Sequence, residues 1–274
     1  HTVINSDGTM SDATRTAIEK AITDGIEIVP VSGRAFATFP EDICRIEGIS
    51  YAVTSNGAAI YNKKTGERIH GVAIDPADLH SILDAFDSYF QNGQIAYEAF
   101  VDGVAYGDSN YVKNPNAFGV PQGNVAYVQS TRKPIDDIIT FMVEHETDLD
   151  SLDIVAADPV LYQKIEDRIP LITKAVYTTS AVSYRLEISH KNSGKATGLA
   201  YVLNLLDIMP EETVAFGDGD NDAEMLEFAG LGVAMENATK NCKAAADTVC
   251  DRCENDGVAR FFRESVGIFA VNGN

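Results

Sequence analysis

The 274-residue sequence predicts an α/β fold, a parallel-sheet core interrupted by an inserted α+β domain. Three observations point there. Short runs rich in Ile and Val end in polar loops and alternate with helical patterns up to residue 74. Between residues 75 and 188 that rhythm gives way to alternating strands mixed with helices. After Ile188 it returns. The expected division is a core formed by residues 1–74 and 189–274, with residues 75–188 as the insert.

The elements follow in order. Val3-Ile4, Ser6-Asp7-Gly8 and Met10 place an Asp-Gly pair between short apolar arms, a hairpin signal. Ser11 or Asp12 caps a helix whose apolar face is Ala13, Ala17, Ile18, Ala21 and Ile22, with Gly25 just past its end. "IEIVPVSGR" reads as a buried strand, with Pro30 at a bulge or an unpaired position. "ISYAVTSNGA" repeats that form at residues 49–58. From Asp75 a helix presents Ile82, Leu83, Phe86, Tyr89 and Phe90 on one face. "QIAYEAFVDGVAY" alternates as strands, and its Tyr97, Phe100 and Tyr106 read either as cleft lining or, the commoner role of strand aromatics, as core. "NVAYVQ" reads as a strand, followed by a helix carrying Ile135, Ile138, Ile139, Met142 and Val143. A strand near "LDIVAA", a helix near "LYQKIEDRI" and strands "KAVYTT" and "SYRLEIS" complete the insert. "TVAFGDGDND" and "GLGVAMENA" then resume the βα pattern.

Composition narrows the partners. A hydrophobic content of 45% supports a proper core. A net charge of -20 and a pI near 4.5 argue against nucleic acid or an anionic membrane surface, which need a basic footprint. No apolar run approaches a membrane span and no signal-peptide pattern opens the chain. Cys44, Cys242, Cys250 and Cys253 are too few and scattered for a disulfide framework. The Cys250-Cys253 spacing lacks the further ligands a zinc site needs, so these read as ordinary reduced thiols. The expectation is a soluble cytoplasmic protein acting on a small molecule. Its oligomeric state is open.

The strongest motif is "VAFGDGDNDAEML", residues 214–226. A buried strand ends at Phe216, and an acidic glycine-rich loop precedes a helix. In open α/β sheets ligands bind at the carboxyl ends of strands, where this loop lies. Asp218, Asp220 and Asp222 repel one another unless a cation sits among them, and hard carboxylate oxygens suit Mg²⁺. A solvated acidic turn is the plain alternative. Ser32 and Gly33 end another strand, where a hydroxyl and exposed backbone N–H groups can hold a phosphoryl oxygen; an ordinary Ser-Gly turn is the alternative. Lys195 opens an amphipathic helix, an unfavourable place for a cation without an anionic partner, though it is equally readable as a surface lysine. Asn56 ends a third strand, as binder or turn former. Four polar groups converging on one edge fit phosphoryl transfer, which needs positioning, a metal and cationic stabilisation.

Ser32-Gly33-Arg34, Asn56-Gly57-Ala58, Lys195 with Gly198, G-D-x-x-N-D at 217–222 and "NDGVA" at 255–259 resemble the Cof-type haloacid-dehalogenase-like phosphatases, in order and spacing over nearly the whole chain. The resemblance implies a Rossmann-like core, with the insert as a cap that closes over the site and reads the leaving group. It implies Mg²⁺ as cofactor and a small phosphorylated metabolite, a sugar phosphate or phosphorylated cofactor, as substrate. Ser32 and Lys195 would bind the phosphoryl group and Asn221 would contact it. Asp218 would ligate Mg²⁺, and Asp222 would support the metal or Lys195. Gly33, Arg34 and Asn56 would lie at the substrate's side of the site. A phosphomutase on the same fold and a silent phosphate-binding relative are the competing readings. A receiver-type signalling domain also pairs acids with a lysine, but lacks so large an insert.

The departure from that family lies in "NSDGTM", residues 5–10. It ends like the family's D-x-D-G-T signature, whose first aspartate is the nucleophile, but puts Asn5 in its place. Too few apolar residues precede Asn5 for a central strand. With Met10-Ser11 opening the first helix, Thr2 falls on the signature's threonine, and both aspartates fall immediately before residue 1. "NSDGTM" is then the hairpin that follows the nucleophile loop. The other reading keeps Asn5 as a degenerate nucleophile in an inactive relative.

Overall fold

Ser11 accepts a hydrogen bond from the Thr14 amide and so starts α1 (Asp12–Thr23), which buries Ile18 and Ala21 as its spacing requires. The computed structural model describes residues 1–269. Ahead of α1, "NSDGTM" is a tight reversal: the Asn5 amide donates to the Thr9 carbonyl and Gly8 takes φ 87°. After it come α2 (Glu41–Arg45) and an antiparallel three-stranded sheet, β1 (Tyr51–Thr54), β2 (Ala59–Asn62) and β3 (Arg68–Gly71).

The strand expected at "IEIVPVSGR" is reduced to one parallel bridge, Val31 to Val53. Pro30 has no N–H to give a ladder, but its carbonyl accepts from the Val53 amide, and the Ser32 amide donates to the Val53 carbonyl. Extended chain with one paired residue is enough to set Ser32 beside the end of β1.

Residues 76–190 form a separate layer. Pro76 occupies the first turn of α3 (Pro76–Gln91), where its missing N–H costs nothing. Then follow β4 (Ile95–Val101), β5 (Val104–Asp108), α4 (Ser109–Lys113), α5 (Val125–Thr131), β6 (Arg132–Ile135), α6 (Ile138–Glu144), β7 (Leu149–Ala156), α7 (Pro159–Ile172), β8 (Val176–Val182) and β9 (Arg185–His190). Their six-stranded sheet runs β6-β5-β4-β7-β9-β8, antiparallel except for the β5–β6 pair. Asp102 and Gly103, both at positive φ, make the two-residue turn between β4 and β5.

"NVAYVQ" is helix α5, not a strand. Val125 and Val128 are an i,i+3 pair, which shares a face in a helix but not in a strand, and Val128 is buried with Tyr111, Val112 and Phe118. The following helix accordingly starts at Ile138, capped by Asp137, while Ile135 ends β6.

One face of this sheet is apolar. Tyr97, Ala99, Leu152, Ile154, Leu186 and Ile188 pack against Leu79, Ile82 and Phe86 of α3 and Ile165 of α7. Tyr97 is therefore core, and Tyr106 packs on Phe141 behind the same face. Phe100, with Ala105, meets Ala35 of the first layer instead. The other face carries Glu98, Asp153, Arg185 and Glu187, all buried or nearly so.

The chain then returns through α8 (Lys195–Leu206), β10 (Val214–Gly217), α9 (Ala223–Phe228), β11 (Leu231–Met235), α10 (Lys240–Ala245), β12 (Thr248–Cys250) and α11 (Gly257–Phe269). β10, β11 and β12 are parallel, and their core joins Leu199 and Leu203 of α8 to Ala215, Leu226 and Ala234. Among the described residues no helix is long and apolar enough to cross a membrane.

Candidate active site

The parallel strand β10 ends at Gly217, and Asp218 to Asp222 form the loop that leads into α9. A Cβ at Gly217 would stand 2.5 Å from that of Asp222, so only glycine lets the loop fold back on its own strand. Asp222 exploits this closeness. Its Oδ2 accepts from the amides of Asp218 and Gly219, each at 2.9 Å, and its Oδ1 accepts from Lys195 Nζ at 2.5 Å. Lys195 and Asp222 are both buried. Burial works against the Asp222 charge, but the adjacent ammonium and the two amides outweigh it and hold the carboxyl below its ordinary value. Lys195 is the first residue of α8, so a cation stands at a positive helix end because a carboxylate faces it.

Asn221 donates through Nδ2 to Asn56 Oδ1 at 3.0 Å. Asn56 follows β1 in the left-handed region, φ 51°, and its amide donates to the Ser32 carbonyl at 3.1 Å. Gly33 packs against the same side chain, where a Cβ would sit 2.9 Å from Asn56 Oδ1. Ser32 Oγ accepts from the Arg34 amide. Ser32, Gly33, Asn56, Lys195, Asn221 and Asp222, drawn from both ends of the span between residues 32 and 222, thus form one connected group.

Arg34 points away from that group. Its Nη1 donates to the Thr38 carbonyl, and its guanidinium lies 4.8 Å from the centre of the Tyr127 ring. Arg132 covers the same ring at 5.1 Å. Burial opposes ionisation of the Tyr127 phenol, yet Arg132 and Arg34 pull it below its usual value.

Asp218 keeps a partly open carboxylate, with Oδ1 accepting from Thr2 Oγ1 at 2.5 Å. Among the described residues no three or more His, Cys, Asp and Glu side chains form an all-protein metal cage. Mg²⁺ does not require one, since it takes one or two carboxylates and leaves the rest to phosphate and water. Asp218, a hard oxygen donor at a strand's carboxyl end, fits that demand. Both oxygens of Asp222 are already engaged within the protein. Asn5 lies elsewhere: its Oδ1 accepts from Cys253 Sγ at 3.3 Å in the opening turn.

The haloacid dehalogenase-like hydrolase family model matches residues 1–262. The chain belongs to the haloacid dehalogenase-like hydrolase family. This hydrolase is 28% identical over 269 residues to a Haemophilus influenzae phosphatase, covering 96% of this chain and 94% of that protein. It is 29% identical over 270 residues to the 5-amino-6-(5-phospho-D-ribitylamino)uracil phosphatase YitU of Bacillus subtilis, covering 96% and 93%. A haloacid dehalogenase-like hydrolase structure from B. subtilis superposes with a TM-score of 0.78 at 26% identity, covering 95% of each chain. This haloacid dehalogenase-like hydrolase is an enzyme, a phosphatase.

Sequence reasoning missed Glu187, which accepts from Asn56 Nδ2 at 2.7 Å. Its signal was present: Arg185, Glu187 and Ser189 alternate with Leu186 and Ile188, so one face of β9 is polar although the strand is buried. It also missed Tyr127, which was assigned to a strand.

Proposed function

We propose that this phosphatase hydrolyses a small phosphorylated metabolite, a sugar phosphate or phosphorylated cofactor, in a Mg²⁺-dependent reaction through an aspartyl-phosphate. The observation that carries the reading is the Lys195–Asp222 pair beside Asn221 and Asn56: a buried ammonium held at a helix start, with polar side chains around it and an open carboxylate at Asp218. Lys195 and Ser32 take the phosphoryl oxygens, Asn221 and Asn56 orient them, and Arg34 with Gly33 shapes the mouth. Asp222 fixes the Lys195 ammonium and the 217–222 loop. Asp218 holds Mg²⁺, which when bound offsets charge between nucleophile and phosphate.

Ser32, Lys195, Asp218 and Asp222 all have these other tasks, so none is the nucleophile. By resemblance to the family's D-x-D-G-T signature, whose threonine falls on Thr2, that role belongs to the signature's first aspartate, on the stretch that Thr2 ties to Asp218. A second aspartate two residues later in the same signature protonates the leaving alcohol and then activates water. Residues 75–188 act as the cap over this site, joined to residues 1–74 and 189–274. Four free thiols fit the reducing cytoplasm.

The test is hydrolysis of an aryl phosphate by the full-length protein with and without Mg²⁺, beside Asp218→Asn. Metal-dependent turnover that the substitution abolishes is expected. Folded protein that binds inorganic phosphate and Mg²⁺ without turnover refutes the reading.

A further inference from the structure

β1 is followed by three consecutive left-handed residues, Ser55 (φ 48°), Asn56 (φ 51°) and Gly57 (φ 91°). Two of them are not glycine, so the turn is strained and must be held from outside. The first layer holds it on one side. Gly57 lies so close to α8 that a Cβ would stand 2.0 Å from the Gly194 carbonyl, and a Cβ at Gly198 would stand 3.0 Å from Gly57 Cα. The turn therefore abuts the start of the helix that carries Lys195.

On the other side the only side-chain carboxylate that reaches Asn56 among the described residues comes from the six-stranded layer. Glu187 Oε2 accepts from Asn56 Nδ2 at 2.7 Å, while its Oε1 accepts from Arg185 Nη2 at 2.8 Å. Arg185 in turn lies 3.4 Å from Asp153 and 3.7 Å from Glu98, and Glu98 takes Arg132 Nη2 at 2.9 Å. Glu187 is thus fixed within its own sheet and reaches out with one oxygen. Asn56 spends its remaining amide oxygen on Asn221. Asn56 thus turns Nδ2 to the six-stranded layer and Oδ1 to the phosphate-site loop of its own layer.

We propose that Glu187 is a positioning residue: it clamps the Asn56 turn and, through Asn56, the Asn221 end of the phosphate site, so that the site is complete only when the six-stranded layer is docked. The inference rests on the phosphatase reading of that site. It gives the charged face of β9 a task besides selecting the leaving group. A charge-assisted hydrogen bond to a buried carboxylate is strong enough to hold a strained turn, and its loss leaves Asn56 with an unpaired donor.

Glu187→Ala and the isosteric Glu187→Gln test this in the full-length protein. Amide hydrogen exchange by mass spectrometry is read in segments covering residues 54–57 and 219–222, alongside kcat/KM for an aryl phosphate and inhibition by inorganic phosphate. Glu187→Ala is expected to raise exchange in both segments. It should lower kcat/KM and weaken phosphate inhibition, each by roughly tenfold. Glu187→Gln, whose amide oxygen can still accept from Asn56, should recover much of the protection and of the phosphate inhibition. A residue that only contacts the leaving group would leave inorganic phosphate inhibition and the loop exchange unchanged, and that result overturns the proposal. So does raised exchange confined to β8 and β9. If the Ala variant fails to fold, the Gln variant decides: wild-type loop protection with lost phosphate inhibition is equally contrary. Wild-type protein that turns over nothing, yet loses loop protection on Glu187→Ala, would sink the phosphatase reading and leave the clamp standing.

Discussion

Removing the Asp222 carboxylate is the most informative single perturbation. In Asp222→Ala the buried Lys195 ammonium loses its counter-ion at 2.5 Å, and the amides of Asp218 and Gly219 lose their acceptor. Breaking one side of a buried pair costs about 3–5 kcal/mol, because the remaining charge is stranded. The freed amides add about 1 kcal/mol or more, limited because Asp218 is only half-buried and water can reach the loop. A loss of roughly 4–6 kcal/mol is expected, within the stability a domain of this kind possesses. Asp222→Asn separates the contributions. Its amide oxygen can still serve both backbone N–H groups, so only the charge is lost, about 1 kcal/mol less than for Ala. Adding Lys195→Met to Asp222→Ala removes the stranded charge and should restore roughly 2 kcal/mol. Urea unfolding followed by circular dichroism measures the wild type, these three variants and Lys195→Met alone, with the slope checked for constancy. The pH dependence gives a second reading. The Asp222 carboxyl titrates below its ordinary value, so its stabilisation is complete above the unfolded-state pKa and is lost as pH falls through the lower folded-state pKa. Both variants should flatten that acidic limb. Strict additivity of Asp222→Ala and Lys195→Met, or a change below about 0.5 kcal/mol in the single variant, would show the pair to be incidental.

Two further substitutions probe the surroundings. Gly57→Ala combines a positive φ with a Cβ 2.0 Å from the Gly194 carbonyl, so it should destabilise by roughly 3 kcal/mol and displace the start of α8; Gly66→Ala, with φ 73° and open space, should cost only about 1 kcal/mol. Equal unfolding midpoints for the two would remove the steric explanation. Asp150 is fully buried against Arg68, and burial, only partly offset by that guanidinium, pushes its carboxyl up to about 7. A raised folded-state pKa stabilises below the unfolded-state value and is lost as pH climbs through the folded one. The stability of the wild type relative to Asp150→Asn should therefore fall between about pH 4 and 7 by roughly 2–4 kcal/mol in urea titrations, and parallel curves would refute the assignment.

What the sequence revealed, and what it hid, follows from the range of the forces involved. Ser11 capping α1 and Pro76 opening α3 are local chemistry, and both elements form where their residues place them. The acidic loop at 217–222 was legible because three aspartates in five residues demand an explanation that neighbours alone can suggest. "NVAYVQ" misled because its valines and tyrosine are strand-favouring residue types, although the three-residue spacing of Val125 and Val128 suits a helix. Which pattern wins depends on Tyr111 and Phe118, whose burial against Val128 is a matter of tertiary packing. The strand at "IEIVPVSGR" shrank to one bridge because ladder pairing depends on a neighbouring strand, which the run itself cannot specify.

Glu187 marks the harder limit. A glutamate inside a buried strand looks like an error of burial until its partners are known, and they sit 131 positions away at Asn56 and two away, on the same face, at Arg185. The same holds for Glu98 with Arg132 and for Asp150 with Arg68. Each is a carboxylate whose burial is tolerable only because a cation or amide from another element meets it. In a chain of net charge -20, cations are scarce, yet Arg132 and Arg185 lie together on the face of the sheet that looks toward the phosphate site, and Arg34 reaches the same Tyr127 from the first layer. Scarce charges gathered at one junction are hard to attribute to solubility, which any surface lysine would serve. They are accounted for if the two layers must meet in one register, with the Asn56 turn as the point where that register is read.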